Sequence, residues 1–219
     1  MQTVGEQRMR ELVGGGDRAD LSDLPEIERR VPASVLTEVL QSTAHARLVE
    51  VTGAHFVGCW DLEHLTCETP VRLMSCWFDM VPVLRFASLP ALAFEDCDLP
   101  GLEGERLEIT HHLELIASRV GGTVRLAGAS VGGRLACIGT TVRVDTGESL
   151  VLDRAEIRGD VALMPLASDN RVVARMVTTT ALQRIGTDPL PCTISGEVSL
   201  LGAKIGGELT CQGVTPYQC

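Results

Sequence analysis

Residues 120–130 read VGGTVRLAGAS, residues 131–141 read VGGRLACIGTT, and residues 194–204 read ISGEVSLLGAK. An internal repeat of eleven residues constrains this chain more than any other feature, because each copy must find the same local structure and stack on its neighbours. Apolar side chains occupy the first, fifth and seventh positions, a small or apolar residue the tenth, and glycine is common at the third and ninth. The register extends upstream. First positions are Phe56, Cys67, Phe78, Leu89, Leu99, Ile109, Val120 and Val131; fifth and seventh positions include Val49/Val51, Trp60/Leu62, Val71/Leu73, Leu113/Leu115 and Val124/Leu126. The tenth column contains Ala54, Leu65, Cys76, Ala87, Ser118 and Ala129, and two units, 89–98 and 99–108, are one residue short.

Each unit holds two segments of apolar-x-apolar form, such as Val124-x-Leu126 and Ala129-x-Val131, whose alternation turns both apolar side chains to one side. Glycine beside each segment accepts the tight approach or positive φ of a corner. Two units then close a four-sided coil of about 20–22 residues, stacked on the next at about 4.8 Å, the ordinary strand spacing. The apolar spacing of 4, 2, 3 and 2 lacks the 3.6 period of a helix. The expected fold is all-β: a right-handed quadrilateral β-helix, or solenoid, of 10/11-residue half-coils, with roughly six and a half coils about 30 Å tall.

The chain is 45% hydrophobic but only 3% aromatic, with 22 glycines among 219 residues, which fits a core of stacked aliphatic side chains. Its formal net charge of −10 argues against direct nucleic-acid binding or adhesion to an anionic membrane surface. No apolar run approaches the ~18 residues of a spanning helix, and the start, MQTVGEQRMRELVGGG, lacks the apolar core of a secretory signal. A cytoplasmic chain is expected. Eight cysteines occur without a Cys-x-x-Cys pair, so the spacing of a zinc knuckle or thioredoxin-like centre is missing.

Residues 1–44 read as a flexible N-terminus, mobile over 1–22, followed by a helical cap at 31–42, where Val35, Leu36, Val39 and Leu40 share a face behind Pro32. Residues 45–219 form the solenoid, interrupted by extra corner residues around Asp145–Glu148 and by a helical or loop insertion at 164–189, where Val173, Val177, Ala181 and Ile185 recur at helical spacing. The final GVTPYQC is a poor cap. That end is expected to meet an unknown protein partner or a second copy, through self-association of the C-terminal coil, unless the chain is a fragment.

The repeat I-x-G-x-L-x-L-x-G-A-x resembles the pentapeptide-repeat proteins. With WDLEHLTCETPVRLMSCWFD at 60–79 and LPGLEGERLEI at 99–109, it is similar to an actinobacterial group labelled "membrane-associated oxidoreductase". The similarity spans roughly residues 31–215. It implies the solenoid, and it implies membrane helices after the solenoid in longer members, so membrane association is expected only of a longer native chain. The label comes without a recognised catalytic motif.

Candidate sites are few. Glu95, Asp96, Asp98, Glu103, Glu105 and Glu108 crowd one stretch and are expected to form an acidic interaction face. Cys76 and Cys97 fall in the tenth column one coil apart and are expected to stack as neighbouring thiols. Cys67, Cys137 and Cys211 read as small core residues, whereas Cys59, Cys192 and Cys219 read as corner, loop or terminal thiols open to solvent. The histidines, including His111 and His112, read as surface residues. The glycine pairs 121–122, 132–133 and 206–207 are corners and not a strand–glycine loop–helix cradle for a dinucleotide. No catalytic residues, cofactor or metal are expected. The expected function is a non-catalytic scaffold for protein–protein interaction; the alternatives are the soluble portion of an oxidoreductase-labelled membrane protein, and an acidic DNA-mimic inhibitor.

Overall fold

The computed structural model describes residues 3–12, 18–42, 47–166 and 190–211. Their strands form a parallel β-solenoid of about six turns. Every complete coil contributes to four parallel ladders, which we call walls one to four in the order the chain visits them. Wall one stacks eight strands, from Arg18–Asp20 through Val49–Thr52 and Leu113–Ile116 to Leu209–Cys211. Wall two runs Arg30–Pro32, His55–Val57, Trp77–Phe78, Asp98–Leu99 and Arg119–Val120 into the first part of Thr141–Val151. Wall three contains Leu102–Glu103, Val124–Arg125 and the last part of Thr141–Val151, and wall four runs from Ser88–Leu89 to Lys204–Ile205.

The inward columns follow from the repeat. Leu113 pairs in register with Leu92 and Leu135, and Leu115 with Phe94 and Cys137, all of them fully buried or nearly so. Leu126, Val131 and Leu135 likewise point into the tube, each 1% exposed or less. Burying an aliphatic side chain of this size contributes about 1.5–3 kcal/mol, and in-register stacking repeats that gain in every coil.

The corners carry the feature that makes eleven residues a unit. The ninth position has positive φ in both half-coils. At the corner from wall one to wall two the series is Gly53, Ser75, Asp96, Ala117 and Gly139; at the corner from wall three to wall four it is His64, Phe86, Arg106, Gly128, Arg154 and Gly202. Seven of these eleven are not glycine, although each such residue gives up about 1 kcal/mol in the left-handed region. The corner amides are hydrogen-bonded from coil to coil, Phe86 N to Glu105 O and Arg106 N to Ala127 O among them. Those bonds hold the backbone there whatever the side chain.

The N-terminal cap is larger than the sequence reading. Helix α1, Val4–Glu11, and the strand Arg18–Asp20 lie within the stretch expected to be mobile, and Met9, Leu12, Ala19 and Leu21 are buried there. Helix α2, Ala33–Ser42, buries Val35, Leu36, Val39 and Leu40 as expected, and Arg10 of α1 pairs with its Glu38 at 2.5 Å. Beneath the cap Phe56 stacks on Phe78 at 4.9 Å, with Trp60 and Phe94 completing an aromatic plug. This cap covers strand edges that would otherwise be open to pairing.

The extra residues around Asp145–Glu148 do not form a separate loop. They lie within one long strand, Thr141–Val151, whose pairing with Thr193–Ser199 shifts register between Arg143 and Glu148. Of the insertion expected at 164–189, residues 167–189 lie outside the described residues; Leu166 and Leu190 on either side form an antiparallel bridge. A second apolar cluster sits outside the tube on wall one, where Ile116, Ala136, Ile138, Ala162, Met164 and Leu166 are all buried.

Adjacent glycines test the packing of corners. A Cβ on Gly122 would lie 2.5 Å from the Pro100 carbonyl oxygen of the preceding coil, whereas one on Gly121 would meet nothing closer than 3.8 Å. Gly122→Ala is expected to destabilise by about 2 kcal/mol or more, and Gly121→Ala to be neutral or stabilising by up to ~1 kcal/mol. Urea titration of the two variants checks this; equal midpoints would contradict it.

Candidate functional site on wall two

Outward positions on wall two alternate with the buried column of Phe56, Phe78, Leu99, Val120 and Val142. One outward row therefore reads Arg30, His55, Trp77, Asp98, Arg119, Thr141, each paired in register with the next. Trp77 in this row is 57% exposed, a large apolar surface to leave in water. One face of its indole stacks on His55, with ring centres 5.3 Å apart and planes within 18°. His55 is itself held by its Nε2, 2.5 Å from an Asp79 carboxylate oxygen. Further along the row Arg119 makes a bidentate pair with Asp98, both contacts 2.6 Å, and that pairing raises the guanidinium pKa above its ordinary value.

An open groove of about 800 Å³ runs across these coils. Pro100 and Gly121 line it where the neighbouring outward row lacks long side chains, with Trp77 toward the cap and Thr141 and Arg143 in a later coil. Arg143 is exposed and forms no ion pair among the described residues. The arrangement offers an aromatic face, a fixed guanidinium–carboxylate pair and a cation without an ion-pair partner among the described residues, all on one wall. Thr141, the hydroxyl in this row, stands four coils from His55, about 19 Å at strand spacing, so the two form no nucleophile–base pair. Among the described residues no group of three or more His, Cys, Asp or Glu side chains is placed to hold a metal ion. No helix among them is long and apolar enough to cross a membrane.

The residues singled out from sequence fall elsewhere. The acidic run spans less than one coil, so it winds round the tube: Glu95 ends a strand of wall one, Asp98 lies on wall two, Glu103 on wall three and Glu108 on wall four. Glu95 is only 2% exposed and pairs with Arg72 at 3.3 Å; Asp96 accepts a hydrogen bond from Ser75; Glu103 and Glu105 both lie 3.9 Å from Arg125. Glu108 is exposed. The six therefore share no single face, and most of them sit beside an arginine of a neighbouring coil.

Cys76 and Cys97 lie in the same corner column, both free thiols and both buried. Burial and the neighbouring Cys76 thiol push Cys97 well above the ordinary thiol range. Cys192, expected in solvent, is fully buried: the strand that follows it pairs Thr193 with Thr141, which places Cys192 above Thr140 in that column, its Sγ 3.3 Å from the Cys137 carbonyl oxygen. Burial pushes its thiol up to about 11 and raises Cys137 as well. Cys211, expected in the core, is exposed on the last described strand, Cys59 is partly exposed, and Cys219 lies outside the described residues.

Histidine roles were also hidden. His64 stacks on Phe86 at 4.8 Å, and His112 Nδ1 accepts the Arg134 backbone N–H at 3.1 Å. Burial, helped by Arg134, lowers the His112 pKa. The folded protein thus binds fewer protons here than the unfolded chain, so stability falls as pH drops below the unfolded value of about 6.5. His112→Asn should flatten that decline in melting temperature between pH 7 and 5; an unchanged slope would contradict the assignment.

A second expectation concerns the thiols, which react as thiolates. Iodoacetamide at pH 8 should leave Cys76, Cys97, Cys137 and Cys192 unmodified in the folded protein and alkylate all four in guanidinium, as read by mass spectrometry of peptides. Native-state labelling of any of the four at the rate of Cys211 would contradict their placement. No family model, curated protein or solved structure matches this chain, so its functional reading rests on the wall-two geometry.

Proposed function

We propose that this chain is a non-catalytic β-solenoid scaffold that binds a protein partner along wall two. The observation that carries the reading is Trp77, more than half exposed yet held in one orientation by His55 and Asp79. Tryptophan and arginine are the residue types that most often dominate protein–protein binding energy, and rigid anchors lose little entropy on docking. A fitting partner presents an extended segment with an apolar side chain for the indole and a carboxylate about three coils away for Arg143, some 14 Å at strand spacing.

One observation favours self-association as a second reading. In the last described coil Val198, Leu201 and Leu209 are 38%, 75% and 42% exposed, while Leu150 and Val161, the column neighbours of Val198 and Leu209, are fully buried. Contact between two such ends would remove this apolar surface from water. Kinship with the actinobacterial repeat group is proposed on the glycine-rich repeats and on residues 60–79 and 99–109, and with the acidic run spread over four walls the DNA-mimic reading is left with net charge alone.

Affinity capture from the native host separates these readings. The Trp77→Ala/Arg143→Glu variant should lose the specific partner, with affinity weakened about 30-fold or more by the tryptophan truncation, while its melting temperature stays close to that of the parent. Sedimentation of a Leu201→Ser/Leu209→Ser variant reports separately on self-association. Retention of every partner by the wall-two variant would overturn the proposal.

A further inference from the structure

The corner from wall three to wall four carries a ladder of side chains on its positive-φ column. His64 and Phe86 stack with ring centres 4.8 Å apart and planes within 16°, so the rings follow the spacing of the coils themselves. The guanidinium of Arg106 lies over the other side of the Phe86 ring, 5.6 Å from its centre. The next rung is Gly128, which has no side chain, and the rung after that is Arg154. The backbone continues unbroken through the gap, with Arg106 N donating to Ala127 O at 2.9 Å and Gly128 N to Asp153 O at 2.7 Å. The rung between the two arginines is therefore vacant, and a cavity of about 310 Å³ lies there, lined by Phe86, Arg106, Gly128 and Arg154 among others.

Charge defines what fits. Arg106 and Arg154 form no ion pair with any described residue. The two carboxylates at the rim are turned to other partners. Glu105 lies 3.9 Å from Arg125, and an Asp153 oxygen accepts from Ser199 Oγ and the Leu201 N–H. A guanidinium offers its flat face to an aromatic ring and its edge, in a fork of N–H donors, to a carboxylate. The backbones of Arg106 and Arg154 stand on either side of the missing rung, two coil spacings or roughly 9.6 Å apart. That is room for one planar ring between them.

The geometry points to a binding site at Gly128 for a small planar aromatic carboxylate, whose ring fills the vacant rung and whose carboxylate pairs with Arg154, since the Arg106 guanidinium already lies over Phe86. It is independent of the wall-two reading, since this corner lies across the tube wall from Trp77. Glycine at position 128 is what keeps the site open, because the same backbone accepts phenylalanine and arginine in neighbouring coils.

Ligand-observed NMR of the full chain with benzoate provides the test. A fragment of this size should bind with a dissociation constant of about 1 mM. Benzamide, which lacks the charge, and cyclohexanecarboxylate, which lacks the flat ring, should each bind at least tenfold more weakly. Gly128→Asn places a side chain in the rung while tolerating positive φ, and should abolish benzoate binding with little change in melting temperature. Gly58→Asn, at a positive-φ glycine with nothing within 4 Å of its Cβ position, is the control and should bind like the parent. Arg154→Gln should weaken benzoate but not benzamide. Equal binding of benzoate by the parent and Gly128→Asn, equal binding of the three probes, or no benzoate binding at 20-fold the expected constant would each overturn the inference.

Discussion

The structure depends on backbone hydrogen bonds that run from each coil to the next through corners of positive φ. A corner is the one place where a β-solenoid must depart from extended geometry, and here it does so at the same position of every eleven-residue unit. The departure strains Phe86, Arg106 and Arg154. It persists because the amides on both sides of the corner are already committed to neighbouring coils. With the corners fixed, alternation along the short walls decides which side chains enter the tube, and in-register stacking turns those positions into continuous apolar columns.

The same constraint rewrites what it means for residues to be neighbours. Contacts on the surface link positions about 21 or 22 apart, as in Asp98 with Arg119, Glu63 with Arg85 and Glu50 with Arg72. Each exposed pair contributes no more than about 1 kcal/mol, but together they set opposite charges beside one another along the tube. A protein of net charge −10 thus presents mixed rows instead of an acidic flank. Both proposed sites lie where this pairing is interrupted. Trp77 places a ring among charges on wall two, and Gly128 leaves a gap in a stacked corner.

The tube was legible because its signal is a repeat with period-two alternation inside it; Leu113, Leu115, Val124, Leu126 and Val131 all lie where that pattern puts them. The cap strand Arg18–Asp20 and helix α1 were not, since Met9, Leu12 and Leu21 follow no repeat and gain their burial only from the end of the tube. The burial of Cys192 is hidden in the sequence because 51 residues separate it from Thr140, its neighbour in the column. The acidic residues were grouped by distance along the chain, which a coil of 20–22 residues scatters over all its walls. Trp77 carries a signal in the sequence: it precedes the inward Phe78, and alternation alone turns it to solvent. The outer cluster of Ile116, Ile138 and Met164 has a similar mark, apolar residues at the eighth position, where the alternate half-coils carry Glu63, Arg85 and Asp153.

In-register stacking of coils is the claim on which both proposed sites rest, and distances along one outward row measure it directly. Spin labels placed in pairs at positions 98/193, 55/193 and 30/193 span three, five and six coil steps of wall two. Pulsed dipolar spectroscopy should give backbone separations near 14, 24 and 29 Å, rising by about 4.8 Å per step, although the pairs are 95, 138 and 163 residues apart in the chain. Separations that depart from about 4.8 Å per coil step for these three, five and six steps would contradict the stacked tube.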